Sequence, residues 1–113
     1  MSCYNVERNC VDFKTGVFEF STEVNDSLVT STFTRNNEFE IELFNGIKDS
    51  STIKWVNNCE FLLTKLNPRT NQEMRPVRIK ILRTYGDKYD FEFSQVNNPQ
   101  KISRGTVRRI SNL

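Results

Sequence analysis

The feature that most constrains this chain is the alternation of apolar and polar residues in short runs, each closed by Asn, Asp or Gly. A period of two puts successive side chains on opposite faces of an extended strand, so each run forms a sheet strand with one covered and one wetted face. Gly16 to Glu23 sets Phe18 and Phe20 against Glu19, Ser21 and Glu23, and Val24-Asn25-Asp26-Ser27 supplies a turn. Leu28 to Arg35 offers Val29 and Phe33 between Thr30, Thr32 and Thr34. The third run is the clearest: Glu38, Glu40 and Glu42 alternate with Phe39, Ile41 and Leu43. Its apolar row is expected to face the core and its glutamates to face water.

Asn45-Gly46 suits the positive φ angles of a hairpin turn. Ser51 to Val56 then aligns Ile53 with Trp55, and after Asn57-Asn58 the run Cys59 to Leu66 is apolar on both faces, which predicts the most buried strand. Pro68, Asn71 and Pro76 make residues 67–76 an exposed loop, since proline excludes both a ladder position and a stable helix. Val77 to Thr84 sets Val77, Ile79 and Ile81 against Arg78 and Lys80, and Tyr85-Gly86-Asp87 turns into a run where Tyr89, Phe91 and Phe93 oppose Lys88, Asp90 and Glu92. A link over 97–103 leads to a last strand, Arg104 to Ile110. A short helical turn is expected between Glu7 and Lys14.

The fold class is therefore all-β: an eight-stranded antiparallel up-and-down meander, because short connections join nearest neighbours. Eight such strands close into a barrel or pack as a compact β-sandwich. At 113 residues one hydrophobic core is expected. Residues 16–113 form the single β domain, and residues 1–15 an N-terminal segment able to act as a tether. The inward set, from Phe18 and Phe20 through Trp55 and Phe61 to Tyr89, Phe91 and Phe93, contains almost nothing small. A mostly filled interior follows, with ligands confined to a barrel mouth or an outer face. A continuous cavity above about 300 Å³ would be incompatible with that expectation.

Composition excludes several chemistries. The chain has no histidine, which removes the usual general base, the imidazole metal ligand and the Ser-His and Cys-His nucleophile pairs. The three cysteines lack a C-x-x-C spacing, and Gly16, Gly46, Gly86 and Gly105 are isolated, so no metal site, phosphate-cradling loop or cofactor is expected. The carboxylates of the third run, and Asp90 with Glu92, read as solvated strand faces rather than an acid–base pair. A non-enzymatic protein is the reading.

Charge is unevenly spread. Residues 1–60 carry five Lys/Arg against ten Asp/Glu, and the remainder eleven against four. Either the basic half seeks an anionic partner, or acidic and basic sheet regions lie side by side and neutralise one another. Lys101, Arg104, Arg108 and Arg109, extended by Arg75, Arg78, Lys80 and Arg83, form the candidate anion-binding patch. Nucleic-acid stacking needs rings on the charged face, however, and here the aromatics alternate opposite the charges.

Cys3 stands close to the start of the chain and matches the position of a lipidated cysteine behind a trimmed lipobox. Cys10 and Cys59 remain as a pair, one ahead of the first strand and the other opening the fifth. A disulfide between them requires Cα atoms within about 7 Å. The alternative is three reduced cytosolic thiols. No apolar run approaches the length needed to span a bilayer, and the N-terminus lacks a signal-peptide stretch. As written the chain reads as cytoplasmic; with a signal peptide trimmed upstream it reads as a cell-envelope protein, touching the membrane only through a lipid anchor.

Gly16 and Phe18, one residue apart at the start of the first strand, resemble the Gly-x-Trp opening of lipocalin-type barrels, with Phe in place of Trp. The resemblance implies a lipocalin-like barrel and a basic residue of the last strand, Arg108 or Arg109, over that ring. The chain also resembles a group of small Bacteroidetes proteins through Cys-Tyr-x-x-Glu-Arg-Asn-Cys at 3–10, Asp-Phe-Lys-Thr-Gly at 12–16 and Lys-Trp-Val-Asn-Asn-Cys-Glu-Phe at 54–61. Members of that group are often labelled DNA topoisomerase IV. A type II topoisomerase needs a tyrosine nucleophile, an acidic magnesium site and moving gates, so the resemblance transfers no catalytic residue. The sequence thus points to a small β-barrel binding or structural module without catalysis, taking a small ligand at a barrel mouth or a protein partner. The alternative is a nucleic-acid-associated protein using its basic C-terminal half.

Overall fold

A computed structural model describes residues 8–24, 26–44 and 46–112. These residues form a short 3₁₀ helix, Cys10–Phe13, and eight strands: β1 (Gly16–Val24), β2 (Ser27–Arg35), β3 (Phe39–Phe44), β4 (Ile47–Asn57), β5 (Glu60–Lys65), β6 (Val77–Tyr85), β7 (Lys88–Gln95) and β8 (Asn98–Ser111). Each strand pairs antiparallel with the next, and β8 returns to β1, so the meander closes into a barrel rather than splitting into a sandwich. Closure gives every strand a neighbour on both sides, although β1 beyond Phe20 and β2 before Thr32 pair on one side only. Among the described residues no helix is long and apolar enough to cross a membrane.

One end of the barrel is shut by the 3₁₀ helix. Cys10 and Phe13 are almost wholly buried among Phe18, Tyr89, Ile81 and Val107. The Phe13 ring meets Tyr89 edge-on with centroids 5.2 Å apart, and Phe18 stacks on Phe33 at 5.3 Å. The core therefore begins at Cys10, ahead of the first strand. Cys10 and Cys59 are joined by a disulfide, with Cα atoms 5.2 Å apart, which ties this plug to the β4–β5 turn. Cys3 and Glu7 lie outside the described residues.

Two local expectations are corrected. Residues 98–103 are not a link but the first part of a long β8, paired to β7 across an irregular register. β5 has no exposed residue, although only Phe61 is fully covered and the face bearing Leu62 and Thr64 is the barrel's outer face. The largest difference is in β3, where the register Arg35↔Glu40 and Phe33↔Glu42 turns the glutamates inward. Phe39 and Leu43 stand on the outer face, 36% and 51% exposed. The cause is the β2–β3 turn. Asn36 accepts hydrogen bonds through Oδ1 from the Glu38 and Phe39 amides, both at 2.8 Å, and its own N–H donates to the Phe39 carbonyl at 3.0 Å. That loop brings Glu40, not Phe39, opposite Arg35, and a one-residue change of register exchanges the two faces of a strand.

On the outside, opposite charges meet across neighbouring strands: Arg78 with Glu60, Arg83 with Asp90, Arg104 with Glu92 and Arg108 with Glu19. Arg78–Glu60 and Arg108–Glu19 join the basic half of the chain to the acidic one, whereas Arg83–Asp90 and Arg104–Glu92 lie within the basic half. Asp90 is the best connected, accepting from the Tyr85 and Thr106 hydroxyls at 2.7 Å and from Arg83 Nε at 2.8 Å. Partial burial works against its charge, but these three donors hold its carboxyl below the usual aspartate range. A carboxyl lowered in the fold contributes stability above its unfolded value and loses it as the pH falls through the folded one. Asp90→Asn should therefore melt below the wild type at pH 7, with the gap closing as the pH drops below about 4. Melting curves across that range check this, and a gap constant down to pH 2 would refute it.

Candidate functional site

Above the plug, β2 and β3 place an arginine on the barrel axis. Arg35 has the same parity as Phe33 and so points inward, where it is 1% exposed. An unpaired guanidinium there would be prohibitively costly, and each face of this one is occupied. Its Nε donates to Glu40 Oε1 at 2.9 Å, Nη1 to the Phe13 carbonyl at 2.8 Å and Nη2 to the Tyr89 hydroxyl at 2.8 Å. The rings of Phe18 and Phe61 lie 4.6 and 4.7 Å from its Cζ, close enough for cation–π attraction. Burial works against its charge, but Tyr89 and Glu40 more than offset that and raise its pKa. Burial pushes the Glu40 carboxyl up, with Arg35 opposing, and burial likewise raises the Tyr89 phenol.

The space beyond Arg35 is not filled. A cavity of about 410 Å³ occupies the barrel interior towards the 67–76 loop, which overturns the expectation of a packed interior. Large side chains are indeed there, but β3 contributes glutamates where three apolar side chains were expected. On β8 the inward position opposite Phe91 is Gly105. A Cβ there would come within 2.6 Å of the Phe20 ring and 3.1 Å of Phe91, so the glycine makes room for both.

The cavity has two unlike walls. Phe20, Val77, Ile79, Phe91, Phe93 and Val107, from β1 and β6–β8, form an apolar one, continued by Phe33 and Leu63. Opposite, the paired register Glu40↔Ser51 and Glu42↔Asp49, followed by Ser51↔Lys65, makes a polar wall from β3, β4 and β5. Lys65 Nζ donates to Asp49 Oδ2 at 2.8 Å and lies 3.5 Å from Glu73 Oε1. The Asp49 bond is the main reason its ammonium pKa is raised. Glu73 belongs to the 67–76 loop, where its amide donates to Thr70 Oγ1 and its carboxylate accepts from the Arg69 amide. Lys65 therefore fastens this loop to the rim, and Gln72, Glu73 and Arg75 line the opening.

The candidate anion-binding residues are not brought together. Arg104 and Arg108 point outward to Glu92 and Glu19. Lys101 is exposed in the first half of β8. Arg109 turns to the closed end, where its guanidinium covers the Phe13 ring at 4.8 Å and donates to the Asp12 carbonyl. Neither Arg108 nor Arg109 covers Phe18; that cation is Arg35, from β2. Sequence reading missed the buried Arg35 with its partner Glu40 and, nearer the mouth, Glu42, Asp49 and Lys65 as residues that line the cavity. The available signal was parity, since Arg35 follows Phe33 by two. Among the described residues no group of three or more His, Cys, Asp or Glu side chains is arranged to hold a metal ion. No protein-family model, curated protein or solved structure matches the chain.

Proposed function

We propose that this protein is a binding barrel that takes a small, mainly apolar molecule into its interior, in the manner of a lipocalin-like carrier. The observation that carries the reading is the cavity of about 410 Å³ with one apolar and one polar wall. Ligand sites commonly occupy about 300–1,000 Å³ and combine apolar lining with a few convergent polar groups. Eight strands make a barrel just wide enough for one small ligand. The Cys10–Cys59 disulfide supports work in an oxidising compartment such as the cell envelope.

An uncharged solvatochromic dye such as Nile red tests the binding reading. Saturable one-to-one uptake by the native protein is expected, at micromolar concentrations. Val77→Trp, which fills the cavity from β6, should abolish uptake while leaving the melting transition cooperative. Absence of saturable uptake by the wild type, or equal uptake by a folded Val77→Trp variant, would refute the proposal.

A further inference from the structure

The charges that line the cavity and its mouth are not balanced by one another. Four carboxylates line the cavity, Glu40, Glu42, Asp49 and Glu73, against Arg35, Lys65 and Arg75. Arg35 is fully engaged by Glu40, the Phe13 carbonyl and the Tyr89 hydroxyl. Lys65 is shared by Asp49 and Glu73. Arg75 is exposed at the rim, on the 67–76 loop. That leaves Glu42, exposed at the mouth of the cavity, which has no salt bridge among the described residues and stands between carboxylates, beside Asp49 on β4 and close enough to Glu40 to help raise its pKa. Its cross-strand partner on β2 is Phe33, whose ring is already covered by Arg35 and Phe18, with Arg35 Cζ and the Phe18 centroid each 5.3 Å from its centroid. Directly opposed residues of an antiparallel pair hold their Cβ atoms about 5 Å apart.

We propose that the cavity selects amphiphiles with a cationic amine head over those with a carboxylate, the ammonium group lying against the Glu42 carboxylate on the polar wall with its apolar body on the β6–β8 wall. The proposal rests on the interior being a ligand site. An ammonium there gains a charge-assisted hydrogen bond to Glu42. A carboxylate at the same depth meets Glu42 and Asp49 with both nearby cations already engaged. At roughly 30 Å³ per heavy atom, the share of one water in the liquid, the cavity holds a ligand of about a dozen heavy atoms. Decylamine is of that size.

The test compares decylamine, decanoate and decanol below their aggregation limits by displacement of the neutral dye, on the wild type and on Glu42→Gln. The amine is expected to bind about tenfold more tightly than decanoate and several-fold more tightly than decanol. Glu42→Gln should bring the amine to within about twofold of decanol and leave decanol unchanged. The chain's formal net charge of +2 gives no general attraction for cations, so such a preference belongs to the cavity. Decanol binding with no amine preference, a preference for decanoate, or an amine-to-decanol ratio unmoved by Glu42→Gln would overturn charge selection and leave the binding barrel standing. Failure of all three ligands to displace a bound dye would overturn charge selection, whereas absence of dye uptake itself would overturn the binding barrel.

Discussion

Replacing Cys10 and Cys59 together by alanine should lower the melting temperature by about 15–20 °C. The bond joins residues 49 apart in sequence, and the closed loop holds β1 to β4. Constraining a loop of that length in the unfolded chain is worth about 4 kcal/mol, and a domain of this size loses about 4 °C per kcal/mol at its midpoint. Alanine is the informative choice because Cys10 is 1% exposed, and a serine hydroxyl there would add an unrelated desolvation cost. The plug keeps other attachments, from Arg35 to the Phe13 carbonyl and from the Asn9 amide to Thr84 Oγ1, so the far-ultraviolet circular dichroism should remain that of the barrel. Wild-type protein in strong reductant should show the same fall. A loss under about 5 °C in both would show that the bond contributes little. Protein taken from its own cells should show Cys10 and Cys59 unreactive to alkylation; labelling of both would remove the support for an oxidising compartment.

Arg35→Ala should cost about 3–5 kcal/mol, the range for removing one partner of a buried ion pair. The loss is larger than that of one hydrogen bond because Glu40, the Phe13 carbonyl and the Tyr89 hydroxyl all lose their donor at once. Arg35→Lys should fall between, since one ammonium cannot present three donors in the directions of a planar guanidinium. The pair is coupled, so Arg35→Ala combined with Glu40→Ala should be less destabilised than the sum of the two single variants, by about 1–3 kcal/mol. Urea unfolding of the four proteins measures this. Strict additivity would mean that the 2.9 Å contact between Arg35 and Glu40 contributes nothing specific.

Much of the architecture was legible because it depends on local chemistry. Runs such as Phe18-Glu19-Phe20 and Tyr89-Asp90-Phe91 can only be strands, Gly46 and Gly86 adopt the positive φ that hairpin turns require, and eight short-linked strands form a meander. The pairing of Cys10 with Cys59 was open to inference because two cysteines remained once Cys3 was set aside.

The site was not legible, and the reason lies in β3. A period-two pattern states that a strand has two unlike faces but not which of them looks inward, because alternation is symmetric under a one-residue shift of register. Apolar content argued for turning Phe39, Ile41 and Leu43 to the core. What decided the matter was an interaction across strands: Arg35, carried inward by the parity of Phe33, had to meet a carboxylate, and the Asn36 turn placed Glu40 opposite it. With Glu40 inside, Glu42 followed, and cross-strand register brought in Asp49, Ser51 and Lys65. By itself the sequence determined that eight amphipathic strands would form and where they would turn. Only tertiary structure decided which side of each strand would line the interior, because burying a charge depends on a partner that another strand supplies.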